Sequence, residues 1–271
     1  MISGRFGFPA LGINGAAIST IIGTVAATIF SFVYLYRAKA FISFKYCIEK
    51  SIVPSKEALH EFFLMWKHVL GENLLTRIGF LITSTITARA GSFAMAVYAV
   101  GMHLMDVNYA IASGFQASAV ALIGRSNGEG KKDKINKYAD IILRLGLIFA
   151  IALSAVIVVF AKPYYALFNK EAEFIQMGIY VCYIIAIISP IQIVKTIHTG
   201  FLQGLGQMKK TKEAAMIAVT IVQPICCFIF IYLLSLGIWG IWISTFVSQA
   251  TWLILSRSAY LKTKEQTEVV V

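Results

Sequence analysis

The sequence is short of charge. Only 14% of its 271 residues are Asp, Glu, Lys or Arg, where a soluble domain carries roughly 25%. That deficit excludes a disordered chain and argues against an ordinary cytosolic enzyme. Acids are the scarcer sign, 13 Asp and Glu against 24 Lys and Arg, for a formal charge of +11. Cysteine is sparse and unpatterned. Cys47 lies in a basic connector, and Cys182, Cys226 and Cys227 lie in apolar runs with no CxxC or Cys/His spacing, so they read as small hydrophobes. His60, His68, His103 and His198 are scattered without metal-ligand spacing. That sets aside a membrane metalloenzyme and leaves no metal or cofactor expected beyond a coupling ion. Met1 to Asn14 lacks the basic start and apolar core of a signal peptide and is Gly/Pro-rich instead.

What the chain has is apolar length: 58% hydrophobic residues and a mean hydropathy of +0.76. A basic surplus alone would fit nucleic acid, but such binders do not carry this excess of Ile, Val, Phe and Ala. The composition is that of a polytopic membrane protein, with no nucleic-acid partner expected. A helix satisfies its own backbone in hydrocarbon and needs about 20 apolar residues to cross it. Seven runs qualify: 14–36, 60–88, 93–123, 138–161, 174–199, 212–235 and 238–258. No connector could hold a soluble domain, so the expected fold is all-α, a polytopic bundle of seven transmembrane helices.

The basic residues sort by connector. Arg37, Lys39, Lys45, Lys50 and Lys56 follow the first span, and Arg125, Lys131, Lys132, Lys134 and Lys137 follow the third. Lys209, Lys210 and Lys212 follow the fifth, and Arg257, Lys262 and Lys264 end the seventh. Sixteen thus fall on one side, against Arg5, Arg89, Lys162 and Lys170 on the other. The positive-inside rule then places the C-terminus in the cytoplasm and the start of this chain outside the plasma membrane. Tyr34, Tyr36, Tyr164, Tyr165, Trp239 and Trp242 fall at span ends, as interfacial anchors would. An external start and an odd span number would both follow if further helices preceded Met1.

Residues Gly4-Arg-Phe-Gly-Phe-Pro-Ala-Leu-Gly-Ile-Asn-Gly-Ala-Ala-Ile-Ser-Thr-Ile-Ile-Gly23 resemble the stretch leading into the sixth helix of the multidrug and toxic compound extrusion (MATE) family. Glu72-Asn-Leu-Leu-Thr-Arg-Ile-Gly79 resembles its seventh helix. Gly114-Phe-Gln-Ala-Ser-Ala-Val-Ala-Leu-Ile-Gly-Arg-Ser-Asn-Gly128 is similar to its eighth, and Leu236-Gly-Ile-Trp-Gly-Ile-Trp-Ile243 to the start of its twelfth. The four matches run in order along nearly the whole chain. The resemblance implies twelve helices in two six-helix lobes. Residues 1–59 would then be the last helix of the first lobe with a cytoplasmic connector, and 60–271 the C-terminal lobe, helices one to five being absent. Its implied function is secondary active export of organic, often cationic, compounds in exchange for protons or sodium. Departures are His68 in place of a proline, and Gln203-Gly-Leu-Gly-Gln-Met208 without the family's Arg and Asp. The run 174–199 also lacks the acid that some members use for cation coupling.

Ionisable groups within a span cost about 2.5–3.5 kcal/mol each on insertion scales, so they face a cavity or a partner. Glu72 matches the seventh-helix acid and Asp106 lies midway along the third run. Both are candidates for cation or proton coupling, because a carboxylate in a partly dry cavity can exchange protons near neutral pH. Each has an ion-pair alternative, Glu72 with Arg77 or a basic residue on another helix, and Asp106 with Lys195 or Arg77. Lys195 is expected to snorkel or to line a substrate cavity with Arg77, Asn108, Gln116 and Gln192. Lys67 and Arg144 are expected to snorkel. Pro190 and Pro224 are candidate hinges. Partners are therefore membrane lipid, a small-molecule substrate and a first lobe supplied in cis or in trans. Other readings are a lipid-linked oligosaccharide flippase of the same superfamily, which takes a more cationic cavity, or a receptor or scaffold. A retinal protein is excluded, since 238–258 has no lysine.

Overall fold

A computed structural model describes residues 12–37 and 55–269. Arg5, Lys39, Lys45, Cys47, Lys50 and the start of the Gly4–Gly23 motif lie outside the described residues, and of Tyr34 and Arg37 only the backbone is described. The chain divides into two compact units, Met1–His60 and Glu61–Val271.

Among the described residues the regular structure is entirely helical: α1 Gly12–Arg37, α2 Lys56–Ala88, α3 Ser92–Gly128, α4 Lys132–Val159, α5 Ala161–Ala166, α6 Ala172–Gly204, α7 Met208–Leu233 and α8 Ile238–Val269. Helices stand at all seven places where apolar runs predict them. Among the described residues five of these, α3, α4, α6, α7 and α8, are long and apolar enough to cross a membrane, where the sequence led us to expect seven. In α1, whose side chains are described only in part, the described apolar stretch is Ala17–Val33. In α2, Lys67, Glu72 and Arg77 lower the hydropathy.

Helix ends depart from the apolar runs for one reason: hydrocarbon dictates where a segment must be apolar, not where it must stop being helical. α3 therefore runs on to Gly128 and α8 to Val269, while α4 begins at Lys132 with Asp133 favourably placed in its first turn.

Along α1, the hydroxyls of Thr24, Thr28 and Ser31 donate to carbonyls one turn back, at 2.8–2.9 Å. That spares an apolar helix any unsatisfied hydroxyl. In the second unit α6 is central, packing against α3, α4 and α8. Its 33 residues span about 50 Å at 1.5 Å per residue, more than the roughly 30 Å hydrocarbon layer. One apolar cluster joins α3, α6 and α8 through Val97, Tyr98, Ile185 and Trp242, and a second joins α3, α4, α6 and α8 through Ile123, Ile142, Ile197 and Tyr260.

Two expected anchors are core residues instead. Trp242 is fully buried against Tyr98, and its indole lies where a Cβ on Gly101 would sit, 2.5 Å away, so only glycine permits the approach. Tyr165, on α5, is also fully buried, and its hydroxyl donates to the Val97 carbonyl at 3.2 Å. Having found a backbone acceptor inside the protein, its phenol has no need of the interface.

α7 is π-helical over Met216–Val222 and again over Ile229–Leu233, on either side of the α-helical turn holding Pro224. Proline cannot donate to the carbonyl one turn back, and the wider π turns adjust the ladder around that gap. Pro190, by contrast, lies within an α6 that continues unbroken.

Candidate functional site

A cavity of about 140 Å³ opens within the Glu61–Val271 unit. Glu72 and Arg77 reach it from α2, Asp106 and Tyr109 from α3, Gln192 and Lys195 from α6, Gln223 from α7, and Gln249 and Trp252 from α8. Four charged groups, two of each sign, thus share one space. The residues sit there because each of these spans carries polar side chains on an otherwise apolar helix, and those faces turn toward one another rather than toward lipid.

Glu72 is not paired with Arg77. Its carboxylate accepts a hydrogen bond from the Thr211 hydroxyl of α7 at 2.8 Å, and that hydroxyl also lies 2.9 Å from the Met208 carbonyl. A second bond between the same helices runs from the Thr220 hydroxyl to the Leu75 carbonyl at 2.9 Å. Gly79 completes the contact, because its α-carbon meets the Val219 carbonyl where any side chain would collide. α2 is therefore fastened to α7 by polar bonds and a backbone approach.

Lys195 does not snorkel. It is 3% exposed, with its ammonium 3.6 Å from the centre of the Trp252 ring and 5.8 Å from that of Tyr109. It forms no ion pair within 4.0 Å among the described residues, although Glu72 interacts with it through space. Nor does Arg77 close an ion pair with Glu72 or Asp106: it is exposed, as is Asp106, and both retain water or ligand access along the cavity.

Of the expected cavity residues, the structure brings Arg77, Gln192 and Lys195 onto the wall with Glu72 and Asp106. It places Asn108 and Gln116 between helices instead. Asn108 is fully buried, donating to Gln192 and accepting from Ser189 at 2.6 Å. Gln116 donates to Gln203 of α6 at 2.9 Å. Both amides satisfy their groups across a packed interface. Lys67 and Arg144 are exposed on their helices, away from the cavity.

Sequence reasoning missed Thr211, Tyr109, Gln249 and Trp252. The isolated polar residues Gln223 and Gln249 within apolar runs were a usable signal. Thr211 was not, because it sits in the Lys-rich start of α7 and only the fold carries it to Glu72.

This is the architecture of a polytopic helical membrane protein with a charged cavity inside its bundle. The MatE family model matches residues 69–229, more than half of the sequence, and the chain belongs to that family. It is 26% identical over 245 residues to the probable multidrug resistance protein NorM of Thermotoga maritima, and 25% identical over 245 residues to the multidrug export protein MepA of Staphylococcus aureus. In each case the match covers 90% of this chain and 52% of the relative, so the chain spans about half the length of the curated relatives it matches. The fold superposes with a TM-score of 0.79 on an outward-facing multidrug resistance MATE family transporter of the MOP superfamily, at 17% identity over 96% of this chain and 57% of the other. It superposes with 0.78 on a MOP superfamily transporter from Pyrococcus furiosus, at 17% identity over 95% and 57%, whose binding pocket of reverse polarity suggests a different function.

Proposed function

We propose that this lobe is one half of a secondary active transporter that exports organic, often cationic, compounds across the plasma membrane by antiport with protons or sodium. In this reading the start of the chain is outside, the C-terminus is cytoplasmic, and a first lobe supplied in cis or in trans closes the other side of the path.

The observation that carries the reading is the bond between Glu72 and Thr211 at the edge of the cavity. A coupling ion and a cationic substrate compete for Glu72 and for Asp106 nearby. Neutralising the Glu72 carboxylate weakens a charge-assisted bond that holds α2 to α7. Charge at the site is thereby tied to the seating of two helices, one of which is π-wound around Pro224. A ligand shifts a conformational equilibrium only through such differential contacts. NorM and MepA, the multidrug proteins to which the chain is similar, support the substrate class.

The burial of Lys195 and the presence of Arg77 favour a second reading, a flippase for lipid-linked oligosaccharides. Efflux of a fluorescent cation by a two-lobe protein carrying Glu72→Gln or Asp106→Asn separates the two. Antiport predicts that the pH or sodium dependence of efflux is lost in at least one variant. Unchanged dependence in both contradicts it.

A further inference from the structure

Among the described residues Lys195 is a buried cation with no counter-ion within 4.0 Å. Its side chain is 3% exposed, and neither hydrogen bond nor ion pair reaches its ammonium among the described residues. The neighbouring acid, Glu72, has its carboxylate turned to Thr211. The ring of Trp252 beneath the ammonium compensates only part of the lost hydration. Two further atoms on the same wall are buried and unpartnered: the indole N–H of Trp252, whose residue is 7% exposed, and the side-chain carbonyl of Gln249, 4% exposed. Buried polar atoms without partners are rare in folded proteins, and two of them on the wall that holds an ammonium with no ion pair mark a place where something else supplies the bonds. The indole N–H and the ammonium are donors, and the ammonium is positively charged. Arg77 adds a second cation to the lining, while Tyr109, Phe80, Met102 and Met105 supply an apolar and aromatic flank.

We propose that this wall binds an anionic group, a carboxylate or a phosphate, borne on an apolar or aromatic body. Lys195 and the Trp252 N–H hold the anion, and Gln249 accepts from a hydroxyl or amine beside it. Resting on the transport reading above, this makes the cavity bipolar. Glu72 and Asp106 take the cationic end of a zwitterionic compound, and Lys195 takes the anionic end. The same anion could arrive on a soluble organic acid or as a lipid headgroup.

The test is the quenching of intrinsic tryptophan fluorescence in the full chain by naphthoate, in nanodiscs of phosphatidylcholine alone and of phosphatidylcholine with phosphatidylglycerol. Naphthoate is expected to bind, with naphthylmethylammonium as the cationic comparison. Lys195→Met should weaken naphthoate at least tenfold, Lys195→Arg should restore most of the affinity, and Lys262→Met, far from the cavity, should change nothing. Loss of naphthoate binding when phosphatidylglycerol is present assigns the site to a lipid headgroup, and indifference to it assigns the site to a soluble anion. Equal naphthoate affinity in the parent chain and Lys195→Met, or an equal loss in Lys262→Met, overturns the proposal. Thermal melts of both Lys195 variants show that they are folded. The readout is binding to this lobe, so its failure is distinct from a failure of ion coupling, which is read in the pH dependence of efflux.

Discussion

The Thr211 hydroxyl stands 2.8 Å from the Glu72 carboxylate and joins the Lys-rich start of α7 to the middle of α2. A carboxylate at this depth is costly unless bonded, and here a single neutral hydroxyl does much of that work. A hydrogen bond to a charged group contributes about 1.5–3 kcal/mol. Thr211→Val should therefore lower the stability of the Glu61–Val271 unit by about 2 kcal/mol. In a double-mutant cycle with Glu72→Gln, thermal unfolding should show coupling of at least about 0.5 kcal/mol. Additive effects would mean that the two side chains do not communicate.

Gly79 fixes how closely α2 and α7 approach. A methyl group there would meet the Val219 carbonyl oxygen and lie 2.8 Å from its carbon. Backbone atoms cannot swing aside as a side-chain end can. Gly79→Ala should destabilise by about 1–3 kcal/mol, the usual cost of overpacking. An unchanged melting temperature would show that the helices do not touch at this point.

Lys195→Met should stabilise the Glu61–Val271 unit while weakening the proposed anion binding. A buried ammonium forfeits several kcal/mol of hydration, and a desolvated ring contact returns about 2 kcal/mol. Methionine fills a similar volume without that deficit. A rise in melting temperature without ligand is expected, and a fall would mean that the ammonium has a partner stronger than Trp252.

The α3–α4 connector makes a prediction about acid. Glu129 takes hydrogen bonds from Arg125 and Lys131, both at 2.9 Å, and these hold its carboxyl down at about 2. Its folded value lies below the unfolded one of about 4.3. The stabilisation is therefore present above pH 4.3 and is lost as the pH falls through about 2. Glu129→Gln should flatten the melting profile within that window. Because the group is exposed, its effect at neutral pH should be slight. Parallel profiles in the two proteins would contradict the assignment.

Much of the fold was legible because hydrocarbon imposes a crude requirement. A helix must be apolar for about 20 residues, and Leu, Ile, Val and Phe announce where. What the sequence concealed lies in contacts between spans. Trp242 and Tyr165 sit at the ends of apolar runs and look like anchors, yet Gly101 and the Val97 carbonyl draw them into the core. The ionisable residues were conspicuous in apolar surroundings, so Glu72, Asp106, Arg77 and Lys195 stood out as cavity candidates. Their partners did not. Nothing local to Lys195 foretells Trp252 on a different helix, and nothing near Thr211 foretells Glu72.

The coupling role proposed for Glu72 is tested most directly by proton release. A two-lobe protein in weakly buffered detergent, with a pH indicator present, would be mixed with a cationic substrate near neutral pH and, separately, with sodium. The account predicts that ligand binding releases protons from the parent protein and that Glu72→Gln abolishes most of the release while still binding substrate. Equal release from the parent protein and from Glu72→Gln would contradict it.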